Sequence, residues 1–150
     1  MSKYDLPIFL EGRVESVMYA KWLDRKASVH FKRDSIRGYE GITKSSYKMG
    51  IHAAVVESQG KDYYTGEELD WQLLSKYNNG LSKAGRHEYK ASFALLPTVD
   101  HIDSSKMNSG FCICSWRTND AKHDLTYAGF IDVCIKVLRH SGYVVSRNTE

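Results

Sequence analysis

The 150-residue chain lacks several features that mark special classes of protein. No apolar stretch approaches the roughly 18 residues that a membrane-spanning helix needs. The N-terminus has no apolar segment behind a basic start, so we expect no secretory signal. Internal repeats and low-complexity segments are also missing. These absences predict a single cytoplasmic domain over residues 1–150, long enough to bury a substantial core.

Cysteine is scarce, and the three cysteines form no familiar pattern. An odd count argues against a disulfide framework. Structural zinc sites use cysteine pairs with two to four residues between them, whereas only one residue separates Cys112 from Cys114, and Cys134 stands alone. We therefore expect no structural zinc. All three cysteines are predicted to be buried, small apolar residues in a reducing compartment.

Positive charge is concentrated in the N-terminal third of the chain. Between Arg13 and Lys48 there are nine Lys or Arg residues and four acidic ones, whereas the whole chain has a net charge of only +3. Such clustering favours a polyanionic partner, although a solvated helix face would explain the same pattern. The candidates for contacts to a phosphate backbone are Lys21, Arg25, Lys32 and Arg33.

Hydrophobic periodicity predicts helices at both ends of the chain. Apolar residues recur every four positions in 13–35 and again on one face of 45–58, where Gly60 is predicted to cap the C-terminus. A third helix is predicted over 126–142, with Thr126 as its N-cap and Gly142 as its stop. Its apolar stripe consists of Phe130, Ile131, Cys134, Ile135 and Leu138.

The middle of the chain has the alternation and turn residues of short strands and loops. We predict a short strand at 63–66, a helix or turn at 67–74, and a loop at 78–86. Two strands follow at 93–96 and 98–102. A turn over 103–110 then leads into a strand at 111–116, and a short helix is predicted to begin at Thr118 or Asn119.

The residues with the most chemistry lie at the ends of this predicted hairpin. Asp100 and His101 are adjacent, so their side chains point to opposite faces of a strand, although strand twist can still let both line one cleft. Asn119 arrives at the same end after the hairpin returns. Carboxylate and amide oxygens suit Mg²⁺, and a histidine off the metal can take a proton from water near neutral pH.

This pattern resembles the ββα-metal (HNH) endonucleases, whose signature is a strand ending in Asp-His, a hairpin, and a helix carrying Asn-x-x-Lys. The matching segments are Val99-Asp100-His101-Ile102, Phe111-Cys112-Ile113-Cys114 and Asn119-Asp120-Ala121-Lys122, and Tyr64-Thr65-Gly66 matches a stretch that often precedes the motif. The resemblance covers about residues 62–125. It implies an α+β fold in which a short antiparallel hairpin and a helix form the nuclease core, elaborated by the basic N-terminal helices of 1–60 and the C-terminal helix of 126–142.

The resemblance also implies roles for individual residues. Asp100 and Asn119 would bind one Mg²⁺ or Mn²⁺, and His101 would be the general base. The family's middle asparagine, which braces the hairpin, has no direct counterpart: Gly110 occupies the expected offset and Asn108 is the nearest asparagine. Either Asn108 serves from a longer turn, or the brace is absent.

Three further residues near the helix are candidates with ordinary alternatives. His123 lies four positions after Asn119, so it is a third metal ligand, a phosphate contact or a plain surface histidine. Arg117 and Lys122 are candidate phosphate contacts, or they decorate a solvated face.

The sequence thus favours a metal-dependent hydrolase that cleaves DNA phosphodiester bonds. Two other readings stay open: a module that binds nucleic acid without cutting it, and a structural domain in which Asp100 and His101 only stabilise a turn. Cleavage of both strands would need a homodimer or two sequential nicks. Restriction, phage and mobile-element roles are not distinguished by the sequence.

Overall fold

The computed structural model describes residues 2–74, 76, 79–103 and 110–149, and its fold confirms the predicted α+β class. Strands β1 (Pro97–His101) and β2 (Phe111–Ser115) form a two-stranded antiparallel hairpin in which Pro97 pairs with Ser115 and His101 pairs with Phe111. Short 3₁₀ turns lie at Ile8–Leu10 and Trp71–Leu73. In chain order the longer elements are α1 (Ser16–Ile36), α2 (Lys44–Ser58), α3 (Asn79–Ser92), β1 (Pro97–His101), β2 (Phe111–Ser115), α4 (Trp116–Lys122) and α5 (Tyr127–His140).

One hydrophobic core joins the N-terminal helices to the hairpin. α1 packs on α2, and α2 packs on β2. Gly50 brings α2 close to the hairpin, since an added Cβ there would lie 3.1 Å from Cδ2 of Phe111. The core consists of Leu10, Tyr19, Trp22, Leu23, Ala27, Tyr47, Ile51, Ala54, Val55, Leu69, Trp71, Leu74, Val99 and Ile113.

The predicted helices at both ends of the chain are confirmed, and local capping explains where they begin. The Thr43 hydroxyl accepts a hydrogen bond from Ser46 N and the Ser46 hydroxyl accepts one from Thr43 N, which forms a capping box for α2. The Thr126 hydroxyl accepts from the backbone N–H of Gly129, as expected for an N-cap. α2 ends at Ser58, as predicted, but its left-handed C-cap is Gln59 rather than Gly60.

Two of the predicted strands are wrong. Residues 63–66 form a turn instead, because the Asp62 carboxylate accepts hydrogen bonds from the N–H groups of Tyr64 and Thr65. Residues 93–96 are wound into turns by bonds such as Leu96 N to the Phe93 carbonyl. A short apolar run does not distinguish strand from helix, and β1 begins only at Pro97, where proline is tolerated.

The predicted loop at 78–86 is wrong as well, since this segment lies almost entirely within α3. Leu81, Lys83 and Ala84 are strong helix formers, and they outweigh the roughly 1 kcal/mol that each glycine costs in a helix. α4 also begins earlier than predicted, at Trp116. The Ser115 hydroxyl caps it by accepting from Thr118 N.

The apolar stripe of α5 is only partly covered: Phe130, which meets the Tyr64 ring, and Ile135 are half-buried. None of its residues, all of which are described, is buried. Cys134 is exposed, which corrects the prediction that all three cysteines are buried; Cys112 and Cys114 are. In the part of the chain that the structure describes, no helix combines the length and apolar character needed to cross a membrane.

Candidate active site

The end of the hairpin presents Asp100 and His101 to two different neighbours. Asp100 faces α4 and Tyr64, whereas His101 faces α1. Both nevertheless line one cavity of about 510 Å³, together with Asn119 and His123. Asp100 and His101 therefore point to opposite faces of the strand and still reach the same cleft, as the sequence allowed.

His101 is almost completely buried among aromatic rings. Phe111 stacks on it with ring centroids 5.1 Å apart, and His30 meets it edge-on at 5.8 Å. Its Nε2 lies 2.8 Å from Oδ2 of Asp34. Burial lowers the pKa of His101 below its ordinary value, and the Asp34 carboxylate opposes this shift only in part. The imidazole is therefore neutral at neutral pH and can accept a proton.

Asp34 is one of the residues of this site that sequence analysis missed. Its side chain is fully buried in α1, where Oδ2 accepts a 2.6 Å hydrogen bond from the Tyr47 hydroxyl. Arg33 and Arg37 lie 4.0 and 3.8 Å from Oδ1. A signal was present in the sequence: Asp34 continues the inward stripe of Tyr19, Leu23 and Ala27, where a charged residue needs a buried partner.

Asp100 is held by two partners through a single oxygen. Its Oδ2 accepts from the Tyr64 hydroxyl at 2.7 Å and lies 3.0 Å from Nζ of Lys122. The Lys122 side chain is only 2% exposed, whereas that of Asp100 is 14% exposed. Lys122 was predicted as a phosphate contact, and the structure corrects this: its stem is packed inside and its ammonium group is paired with Asp100 rather than presented to a ligand.

α4 brings Asn119 and His123 to the same cavity. Asn119 is half-buried near the middle of the helix, and its backbone carbonyl accepts from His123 N at the C-terminal cap. The His123 side chain is 83% exposed and its Nδ1 lies 3.3 Å from Oδ1 of Asp124. Arg117 is exposed on α4 and does not line the described part of this cavity.

The predicted basic residues of α1 divide into two groups. Arg33 lines the cavity beside Arg37 and Tyr39, and its Nη2 donates to Nδ1 of His30 at 2.8 Å. The structure thus adds Arg37 to the site. The other three, which are exposed along α1 and lie outside the described lining, are Lys21, Arg25 and Lys32. Asn108, the candidate brace of the hairpin, lies outside the described residues.

The cavity is lined by the carboxylates of Asp100, Asp120 and Asp124 and by the Asn119 carboxamide. Across the described ranges, no three His, Cys, Asp or Glu side chains are grouped so that they would hold a metal ion. The cavity instead offers Asp100, whose Oδ1 is not used by Tyr64 or Lys122, and the Asn119 carboxamide. One carboxylate and one amide oxygen fit Mg²⁺, which takes few protein ligands and keeps several waters.

Comparison of the chain with protein-family models, with curated proteins and with solved structures finds no match. The chemistry of the cavity is therefore judged from its own residues. They include a neutral histidine, two candidate oxygen ligands from separate elements and two guanidinium groups. This set suits the handling of a phosphate ester in the presence of a divalent cation.

Proposed function

We propose that this protein is a metal-dependent DNA endonuclease with a site of the ββα-metal (HNH) kind. The observation that carries the proposal is the convergence of Asp100, His101 and Asn119 on one cavity, although they come from β1 and α4. Arg33 and Arg37 line the same cavity and supply positive charge for a phosphate group.

His101 is the general base of the proposed reaction. Its Nε2 is buried against Asp34, so Nδ1 is the atom left to take a proton from water. The neutral state of the ring, which burial favours, gives this nitrogen a lone pair at neutral pH.

Asp100 and Asn119 would hold one Mg²⁺ or Mn²⁺ through Oδ1 and the carboxamide oxygen. Such an ion would supply positive charge to offset the charge of the scissile phosphate and of the leaving oxygen. Lys122 and Tyr64 fix the Asp100 carboxylate by binding its other oxygen, so Oδ1 is presented without a large loss of side-chain entropy. His123 lines the same cavity and would be a third ligand or a phosphate contact.

The basic surface of α1 would bind the DNA backbone next to the cavity. We expect Arg33 and Arg37 to contact the phosphate at the cleavage site. The exposed residues of α1 would contact phosphates further along the DNA; they are Lys21, Arg25 and Lys32. Because such contacts release counterions, binding is expected to weaken steeply as salt is raised.

The test is a plasmid-nicking assay with Mg²⁺ or Mn²⁺ on the wild type and on His101→Ala. Loss of the general base should reduce turnover by about 10²–10⁴-fold while DNA binding persists. His140→Ala, at the exposed C-terminal end of α5, is the matched control and should cleave like the wild type. A wild-type protein that binds DNA but leaves it supercoiled would instead be a non-catalytic binding module, and full cleavage by His101→Ala would remove His101 from its role.

The metal ligands are tested separately by calorimetric titration with Mn²⁺. Asn119→Ala is expected to weaken Mn²⁺ binding by at least tenfold, because it removes one of two protein ligands. A titration in which Asn119→Ala binds like the wild type would place any metal elsewhere.

A further inference from the structure

Beside the cavity, against His101, lies the buried carboxylate of Asp34, which has no role in the proposed reaction. Asp34 is completely shielded from solvent on α1, far along the chain from the hairpin. Oδ1 of Asp34 and Nε2 of His101 are both buried, and within the described residues neither makes a hydrogen bond of good geometry. Burying such atoms without a hydrogen-bond partner is unfavourable, because each has lost its bonds to water.

The geometry points to a pairing of these two side chains. Nε2 lies only 2.8 Å from Oδ2 of Asp34, so a small rotation of the imidazole or the carboxylate aligns an Nε2–H donor with an acceptor oxygen. The Tyr47 hydroxyl already fixes Oδ2 at 2.6 Å, and the stacked Phe111 ring holds the imidazole plane. The ring therefore has one preferred orientation, with its Nε2 edge turned toward α1.

We propose that Asp34 is a positioning residue for His101: it holds the hydrogen on Nε2 and leaves the Nδ1 lone pair facing the reaction. This inference rests on the proposed nuclease function, in which Nδ1 takes the proton. It assigns to α1 the orienting role that the hairpin's own asparagine has in the family that the sequence resembles. The arrangement is Tyr47–Asp34–His101, in which each group fixes the next.

The first experiment reads the tautomer directly and does not need catalysis. Two-bond ¹H–¹⁵N correlation spectra of histidine-labelled protein at pH 7.5 distinguish Nε2–H from Nδ1–H imidazole. We expect His101 in the wild type to be the Nε2–H tautomer, and Asp34→Asn to lose this preference because the amide can donate as well as accept. A wild-type His101 carrying its hydrogen on Nδ1 would overturn the proposal, even if the variant failed to fold.

The second experiment separates positioning from stability by kinetics. Asp34→Asn should lower kcat for nicking by about 10²-fold or more, while KM for DNA changes less than threefold, because Asp34 does not reach the DNA. Asp24→Asn is the matched control: it removes a carboxylate from the same helix, where Asp24 is exposed and paired with Lys48. It should leave both constants unchanged.

The outcomes also separate this proposal from the function it rests on. If the wild type does not nick DNA, the nuclease proposal fails, and the tautomer spectrum still decides whether Asp34 orients His101. If the wild type nicks and Asp34→Asn retains kcat within threefold, Asp34 only stabilises the core and the positioning role is refuted.

Discussion

The buried pair of Lys122 and Asp100 makes a sharp prediction about stability. In Asp100→Asn the Lys122 ammonium, whose side chain is 2% exposed, stays buried without a counter-charge, which should cost about 3 kcal/mol. Lys122→Met should cost less, about 2 kcal/mol, because Asp100 remains 14% exposed and keeps the Tyr64 hydroxyl.

The double variant Asp100→Asn/Lys122→Met is the decisive measurement. It removes both charges and fills the volume of the lysine stem with methionine, so its loss should be about 2 kcal/mol rather than the additive 5, a coupling of about 3 kcal/mol. Urea unfolding followed by fluorescence of the buried Trp22 and Trp71 gives these free energies without reference to activity.

The exposed pair of Lys136 and Asp132 on α5 is the control for this cycle. These side chains are 73% and 58% exposed although Nζ and Oδ2 are 2.6 Å apart, so Lys136→Met should change the free energy of unfolding by no more than about 0.5 kcal/mol. Strict additivity at Lys122 and Asp100 would refute the reasoning, since it would mean that solvent screens the pair as effectively as it does on α5.

Two further predictions concern acid stability and the core. Burial lowers the pKa of His30 to about 3, below the 6.5 expected in the unfolded chain. The unfolded chain therefore binds the proton first, so this contribution to stability is complete above pH 6.5 and falls below it, by about 2 kcal/mol at pH 5. Urea unfolding at pH 6.5 and pH 5 should show a smaller loss of stability for His30→Gln than for the wild type. An equal loss in the two proteins would contradict the prediction. Ile51→Ala should cost about 2–5 kcal/mol in the same assay, because Ile51 is fully buried. Val56→Ala, at an exposed position of the same helix, should cost under about 1 kcal/mol. Equal losses would show that Ile51 does not stabilise the core more than an exposed residue does.

Helices α2 and α5 were predictable because the signals that specify them, hydrophobic period and capping residues, are local in the sequence. Tyr47, Ile51 and Val55 recur every four residues, and this period alone identifies the buried face of α2. Thr126 could be recognised as an N-cap for the same reason. By contrast, α3 was missed because Gly80 and Gly85 suggest a loop whereas their neighbours favour a helix.

The candidate site was only partly predictable because several of its contacts join residues that are far apart in the sequence. The order Asp100, His101 and Asn119 follows from the hairpin, so the cavity they line could be anticipated. Nothing in the local pattern indicates that Asp34 lies against His101, or that Lys122 turns inward to Asp100. Such pairings depend on which faces of distant elements pack together. Hydrophobic periodicity identifies the buried face of a helix, but it does not identify the element that covers this face.

The covering of the hairpin by α1 and α2 has a consequence for engineering. Residues 62–125 look like a self-sufficient cassette, yet Phe111 packs against Tyr47 and Gly50 of α2, and His101 packs against α1. Transferring that stretch alone into another protein would remove the packing contacts that α1 and α2 make with the hairpin. A useful graft must carry both N-terminal helices with it.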